Sequence, residues 1–159
     1  MQPYRVVRTG FTLVEILIVV LILGILAALV VPRFATASED AARQAFSESL
    51  LGFVDAATMY QAREGRPIPD GGTGLLPPGM EPYVKARDWE NGTPIGGMWD
   101  SEFRDVGGME SLIGVHFMGG DDPGAAFMTQ VDAIFDDGNL ATGAFRDFGG
   151  SRYYYIIIE

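Results

Sequence analysis

The 159-residue chain has no cysteine and a single histidine, His116. The first absence rules out a disulfide staple, even in a compartment that would permit one, and removes the thiol nucleophile. The second leaves little for hydrolytic chemistry, which needs a nucleophile with a base held beside it. His116 falls in an expected strand, and Ser38, Ser47, Ser49, Ser101, Ser111 and Ser151 lie in no nucleophile-elbow pattern. Glycine pairs at 71–72, 96–97, 107–108, 119–120 and 149–150 match neither a dinucleotide-binding nor a P-loop spacing, so they read as turns. An enzyme is not expected. Basic residues are also scarce, eleven against twenty-one acidic, net −10. Such an acidic chain is a poor partner for nucleic acid or an anionic lipid surface, and it leaves room for divalent cations.

What the chain does have is one long apolar run. Residues 11–31 carry only two polar side chains, Thr12 and Glu15. As a helix rising about 1.5 Å per residue they span roughly 31 Å, the thickness of a hydrocarbon core of about 30 Å. A transmembrane helix follows. Glu15 is the anomaly, because a charge inside the span costs about 2.5–3.5 kcal/mol near the centre and less towards an end. An ionisable group there is a functional candidate whose partner must be found. The nearest cation is the amine released if the chain is cut between Gly10 and Phe11. Residues 1–10 contain Arg5 and Arg8 and no acid. A secretory signal would place its cut after the apolar region rather than before it.

These features together resemble the prepilin segment of type IV pilins and type II secretion pseudopilins. The resemblance rests on Gly10, Phe11, the Thr12-Leu13-Val14-Glu15 sequence, Gly24 and Pro32, and covers about the first third of the chain. It implies that a prepilin peptidase cuts after Gly10 and methylates the new N-terminus at Phe11. It also implies that Glu15, Gly24 and Pro32 serve assembly into a filament, with residues 24–32 able to lose helicity there. Other implied partners are further copies, other pilin-like subunits, an inner-membrane assembly platform, and the lipid bilayer before assembly. Removing Arg5 and Arg8 with the leader leaves nine basic against twenty-one acidic side chains, net −12. Two departures stand out: no cysteine closes a C-terminal loop as in many type IV major pilins, and residues 93–100 lack the Asp-Pro-Trp-Gly type of motif common in major pseudopilins.

The remainder divides into an amphipathic helix over 32–64 and a globular part over 65–159. Pro32 removes an amide and is expected to kink or loosen the helix. Beyond it Phe46, Leu50, Phe53/Val54, Ala57 and Tyr60/Met59 form an apolar stripe, with Ser38, Glu39, Asp40, Gln44, Ser47 and Glu48 opposite. Gly65 and Pro67 end the helix. Residues 65–82 form a loop rich in proline and glycine. Strands are expected around Trp99 and Phe103 and over 112–118, with Ile113, Val115 and Phe117 alternating against Gly114, His116 and Met118. A helix is expected over 125–135. A hairpin of 142–148 with 152–158 turns at Gly149-Gly150, and the Tyr153–Ile158 run, too sticky for an edge, belongs inside the sheet. The fold class is therefore α+β, a long N-terminal helix packed on a small antiparallel sheet, as the resemblance also implies.

Two acidic clusters, Asp121-Asp122 and Asp136-Asp137-Gly138-Asn139, are candidate calcium ligands, as in the C-terminal loop of some major pseudopilins. Neither follows the spaced calcium-loop pattern, and turns use the same residues, so the expectation is of no cofactor, with calcium the exception to test. The expected function is a structural subunit of a type II secretion pseudopilus. It would be single-pass in the bacterial cytoplasmic (inner) membrane, with its C-terminal domain in the periplasm and a periplasmic or surface filament after assembly. A minor or surface type IV pilin for adhesion or DNA uptake is the alternative within the class, and a signal-anchored periplasmic enzyme or binding domain the one outside it.

Overall fold

The structure, a computed structural model, describes residues 10–103 and 111–158. Arg5, Arg8 and the glycine pair at 107–108 lie outside the described residues. The chain forms two compact units, Met1–Ser38 and Glu39–Glu159.

Helix α1, Leu13–Glu64, contributes to both units and stays α-helical in backbone through residues 24–32. In the first unit its apolar side chains face outward all round: Ile16, Leu17, Ile18, Val19, Leu21 and Leu23 are all at least half exposed. An 18-residue window of mean hydropathy 3.2 has none of its residues buried. Such a surface is incompatible with water and suited to lipid. Many of these residues are Ile and Val, middling helix formers. In hydrocarbon, however, helix is how a lone segment satisfies every backbone N–H and C=O.

In the second unit, α1 supplies one wall of the core. Phe46, Leu50, Phe53, Ala57 and Tyr60 are buried, the expected stripe. One residue of the stripe and one of the opposite face need correction. Met59 is 62 % exposed, and the stripe runs through Tyr60 alone at that turn. Ser47 is buried rather than outward, its hydroxyl satisfied by donating to the Arg43 carbonyl at 2.9 Å. Beyond Glu64 the chain leaves the helix through Gly65, whose φ of 67° is the left-handed turn that suits glycine.

The loop that follows contains a short helix that the sequence reading did not anticipate, α2, Ala86–Glu90, which buries Trp89. The sheet comprises β1 (Met98–Glu102), β2 (Ser111–His116), β3 (Phe145–Asp147) and β4 (Arg152–Ile158), with α3 (Ala125–Phe135) between β2 and β3. All pairings are antiparallel and the order is β1-β2-β4-β3, so the aromatic-aliphatic last strand is interior, as expected. Phe46 stacks on Trp99 at 5.1 Å and meets Phe145 edge-on at 6.3 Å, joining α1 to both edge strands of the sheet. Aromatic pairs of this kind add about 0.5–1.5 kcal/mol each beyond their area.

The expected alternation along β2 holds on only one face. Ile113 and Val115 enter the main core, but Leu112 is also fully buried, packed with Tyr154 and Ile156 on the sheet's other side. Across that far face Asp100, Gly114 and Tyr154 stand in one row of partners. With no side chain at Gly114, the Tyr154 hydroxyl reaches Asp100 Oδ2 at 2.6 Å. A Cβ on Gly114 would lie 2.6 Å from the Tyr154 Cα and closer still to the Tyr153 carbonyl, so the strands could not pair this tightly.

Candidate functional site

Two carboxylate sites stand out. At the start of α1, Gly10 and Phe11 are exposed and precede the helix, so the bond between them is open to approach. Thr12 and Glu15 form a reciprocal capping box. The Thr12 backbone N–H donates to Glu15 Oε2 at 2.8 Å and the Thr12 hydroxyl to the same oxygen at 2.7 Å. The Glu15 N–H in turn donates to Thr12 Oγ1 at 3.2 Å. Two of the helix's otherwise orphaned N–H groups are thereby satisfied. Glu15 Oε1 makes no hydrogen bond among the described residues. Thr12 was not singled out by the sequence reading, although the Thr-x-x-Glu spacing at the mouth of an apolar run is itself the signal. Gly24 lies along the exposed helix with nothing within 4 Å of where a Cβ would stand, and position 32 lies within α1.

The second site is built at the end of α3. One ligand oxygen each from Asp132, Asp136 and Asp137 lie within 4.8 Å of one another. Asp136 Oδ2 accepts the Ala144 and Phe145 N–H groups at 2.6 and 2.9 Å. Asp137 accepts the Asn139 N–H at 2.8 Å and the Thr142 hydroxyl at 2.7 Å. Those two bonds, the hydroxyl first, hold its carboxyl below the usual carboxylate range. Asp132 differs. It is completely buried and neither of its oxygens has a hydrogen-bond partner. Burial first, then the charge of Asp136, pushes its carboxyl up to about 6; the Asn139 and Gly138 amides ease this without closing a hydrogen bond to it. Bare buried carboxylate oxygens are costly, and hard cations take all-oxygen sites. Three carboxylates so placed are a donor set of the kind a hard cation such as calcium takes, and the unpartnered oxygens are those of Asp132.

The calcium candidates thus part company. Asp136 and Asp137 join the group, whereas Asp121 is exposed and Asp122 accepts the Gly124 N–H at 2.8 Å as a turn residue does. Asp132 escaped the sequence reading because it sits among apolar residues at helical spacing, where a lone acid was counted as part of the periodic helix.

His116 ends β2, as expected of a strand residue. Its Nδ1 lies 3.1 Å from Thr73 Oγ1 and 3.6 Å from Asp100 Oδ2. A nucleophile–base–acid relay uses opposite nitrogens of the ring, and here both contacts fall on one. Asp100 belongs to the fold instead: burial raises its carboxyl above the ordinary value, and the Tyr154 hydroxyl offsets this in part.

A lipid-suited helix with a capped carboxylate at its mouth, leading into an α+β domain, defines the class of pilin-like, membrane-anchored subunits. Comparison with known proteins narrows it. Residues 7–31 match the prokaryotic N-terminal methylation motif. The type II secretion system core protein G of Klebsiella pneumoniae is 36 % identical over 104 residues, covering 61 % of this chain and 73 % of that protein. The proteins of that description from Aeromonas hydrophila and Vibrio cholerae are 39 % identical over 66 residues and 43 % over 54. Those alignments cover 42 % and 34 % of this chain, and 45 % and 37 % of the relatives. No solved structure matches. The chain belongs to the family of type II secretion system core protein G, the pseudopilins.

Proposed function

We propose that the chain is a structural subunit of a type II secretion pseudopilus, cleaved after Gly10, N-methylated on Phe11 and assembled with other pilin-like subunits through its N-terminal helix. Prepilin peptidase and an inner-membrane assembly platform are the partners this route requires, and the domain from Glu39 onward faces the periplasm. The observation that carries the reading is the single carboxylate at the mouth of a lipid-suited helix, four residues from a terminus that cleavage would turn into an amine. That separation is about 6 Å along the axis. Packing between lipid-embedded helices defines axial position poorly, since one leucine row resembles another. An ion pair between one subunit's amine and a neighbour's Glu15 supplies the register.

Glu15→Leu and Glu15→Gln test this together. Both variants should insert in the membrane and be cleaved after Gly10. Glutamine retains a side-chain oxygen for Thr12 but not the charge. Truncating one member of a buried pair costs roughly 3–5 kcal/mol, so both should be absent from sheared filament fractions on immunoblots. Normal filament yield from Glu15→Gln would show that the cap, not the charge, is what assembly needs.

A second reading concerns calcium, and the bare oxygens of Asp132 support it. Bound there, the ion would supply no chemistry beyond charge neutralisation. It would hold the end of α3 to the loop that leads into β3. A calcium titration of the full chain should raise its melting temperature, and Asp132→Asn should remove that rise.

A further inference from the structure

We infer that Arg33, with Phe34 beside it, is a phospholipid-binding element that sets how deeply the unassembled subunit sits in the bilayer. The inference rests on the membrane anchoring described above. Arg33 is the only basic residue between Phe11 and Ala42. Its side chain is exposed and makes no ion pair with the described residues. The nearest acids further along the chain, Glu39 and Asp40, are both engaged by Arg43, at 4.0 and 2.5 Å.

Position decides what a free cation here can meet. From Phe11 to Arg33 are 22 steps, about 33 Å as a helix, against a core of about 30 Å. With the N-terminal end at one membrane surface, Arg33 arrives at the phosphates of the other. The local surface has a matching character. Val30, Arg33, Phe34 and Ala37 share one exposed face of α1, three apolar side chains with one guanidinium among them. Phe34 is 71 % exposed. A phosphodiester above acyl chains is the complement of that surface: the planar guanidinium forks onto phosphate oxygens, and Val30 and Phe34 meet the upper acyl carbons. A free phosphate would leave the apolar side chains unused. The acidic domain is repelled by anionic surfaces, so the occupant we assign is a zwitterionic phospholipid.

Arg33 therefore acts as a depth stop, and a subunit drawn up into a filament must give up this contact. The chain cleaved after Gly10, which lacks the leader's Arg5 and Arg8, would carry arginine labelled with ¹³C at the guanidinium carbon and be reconstituted at high dilution into phosphatidylcholine vesicles. Dephasing of that carbon by lipid ³¹P would then be measured in the solid state. Wild type should show dephasing, Arg33→Gln should lose most of it, and labelled lysine in Arg33→Lys should recover part. Equal dephasing in wild type and Arg33→Gln would overturn the proposal, as would none in an inserted wild type. Dephasing that falls as the chain is diluted in lipid would also overturn it, since the phosphate contact would then depend on association between copies and not on the single subunit. Vesicle flotation separates the two levels: a chain that fails to float refutes the membrane anchor itself.

Discussion

Asp132→Asn should make the calcium-free protein more stable at neutral pH, and the size of the gain follows from the site. The folded carboxyl titrates at about 6, against 3.8 when unperturbed. A carboxyl raised on folding favours the folded state fully below the lower value and loses that contribution as pH rises through the upper one. At roughly 1.4 kcal/mol per pKa unit, the loss between pH 3.8 and 6 is about 3 kcal/mol. Asparagine keeps the shape, carries no charge, and offers its amide to the neighbouring Asp136 and Asp137. Urea unfolding of the full chain in detergent, with EGTA present, can be followed through Trp89 and Trp99, both buried in the domain core. Wild type should weaken between pH 4 and 6 by up to about 3 kcal/mol more than the variant. The raised carboxyl of Asp100 works in the same direction in both proteins and cancels in the difference. At pH 7 millimolar calcium should restore wild type and leave the variant unmoved. A variant that weakens in parallel with wild type, or is less stable than it at pH 7, would refute the reasoning.

Three further outcomes are expected. Gly10→Val should leave the leader attached, since a branched side chain obstructs the peptidase; mass spectrometry of the wild type should find N-methylated Phe11, and an intact Met1 on most wild-type protein would exclude processing. Tyr154→Phe removes the donor to a buried carboxylate and should cost about 1.5–3 kcal/mol in urea unfolding, growing with pH because Asp100 is then harder to ionise. Gly114→Ala forces β2 and β4 apart and should cost at least about 3 kcal/mol by the same measurement, while leaving membrane insertion unchanged.

The elements that were legible in the sequence are those set by local pattern. The apolar stripe of α1, its stop at Gly65, α3 at Ala125–Phe135, and the β3–β4 hairpin follow from periodicity and turn residues. Most of what was missed depends on contacts distant in sequence. Helix α2 is five residues long, too short to show a period, and exists because Trp89 docks beside Phe53 and Trp99. Ser47 looks polar and outward until its hydroxyl finds the carbonyl one turn back. The second burial face of β2 arises because Tyr154, Ile156 and Phe148, all distant in sequence, pack with Leu112. Thr12 and Ser47 are the exceptions: their partners lie three and four residues away, and the capping pattern of Thr12 was there to be read.

Glu15 and Asp132 differ in how the fold satisfies them, and the contrast bears on function. Glu15 drew attention as a lone acid in an apolar run, yet the fold gives it two donors from Thr12. Asp132 drew none, yet it is the carboxylate left without a partner. Both Thr12 donors sit on Oε2, so an incoming amine can add at Oε1 without displacing them. Because those donors already stabilise the charge, the addition relieves less desolvation than it would at a bare carboxylate. That suits a contact which must form and re-form as subunits join a growing filament. A bare buried carboxylate gains its partner by addition, with the whole desolvation penalty relieved at once. That suits an ion held through the life of the domain. On the proposed function, the state of each carboxylate in the single chain distinguishes a contact made and remade from an ion held in place.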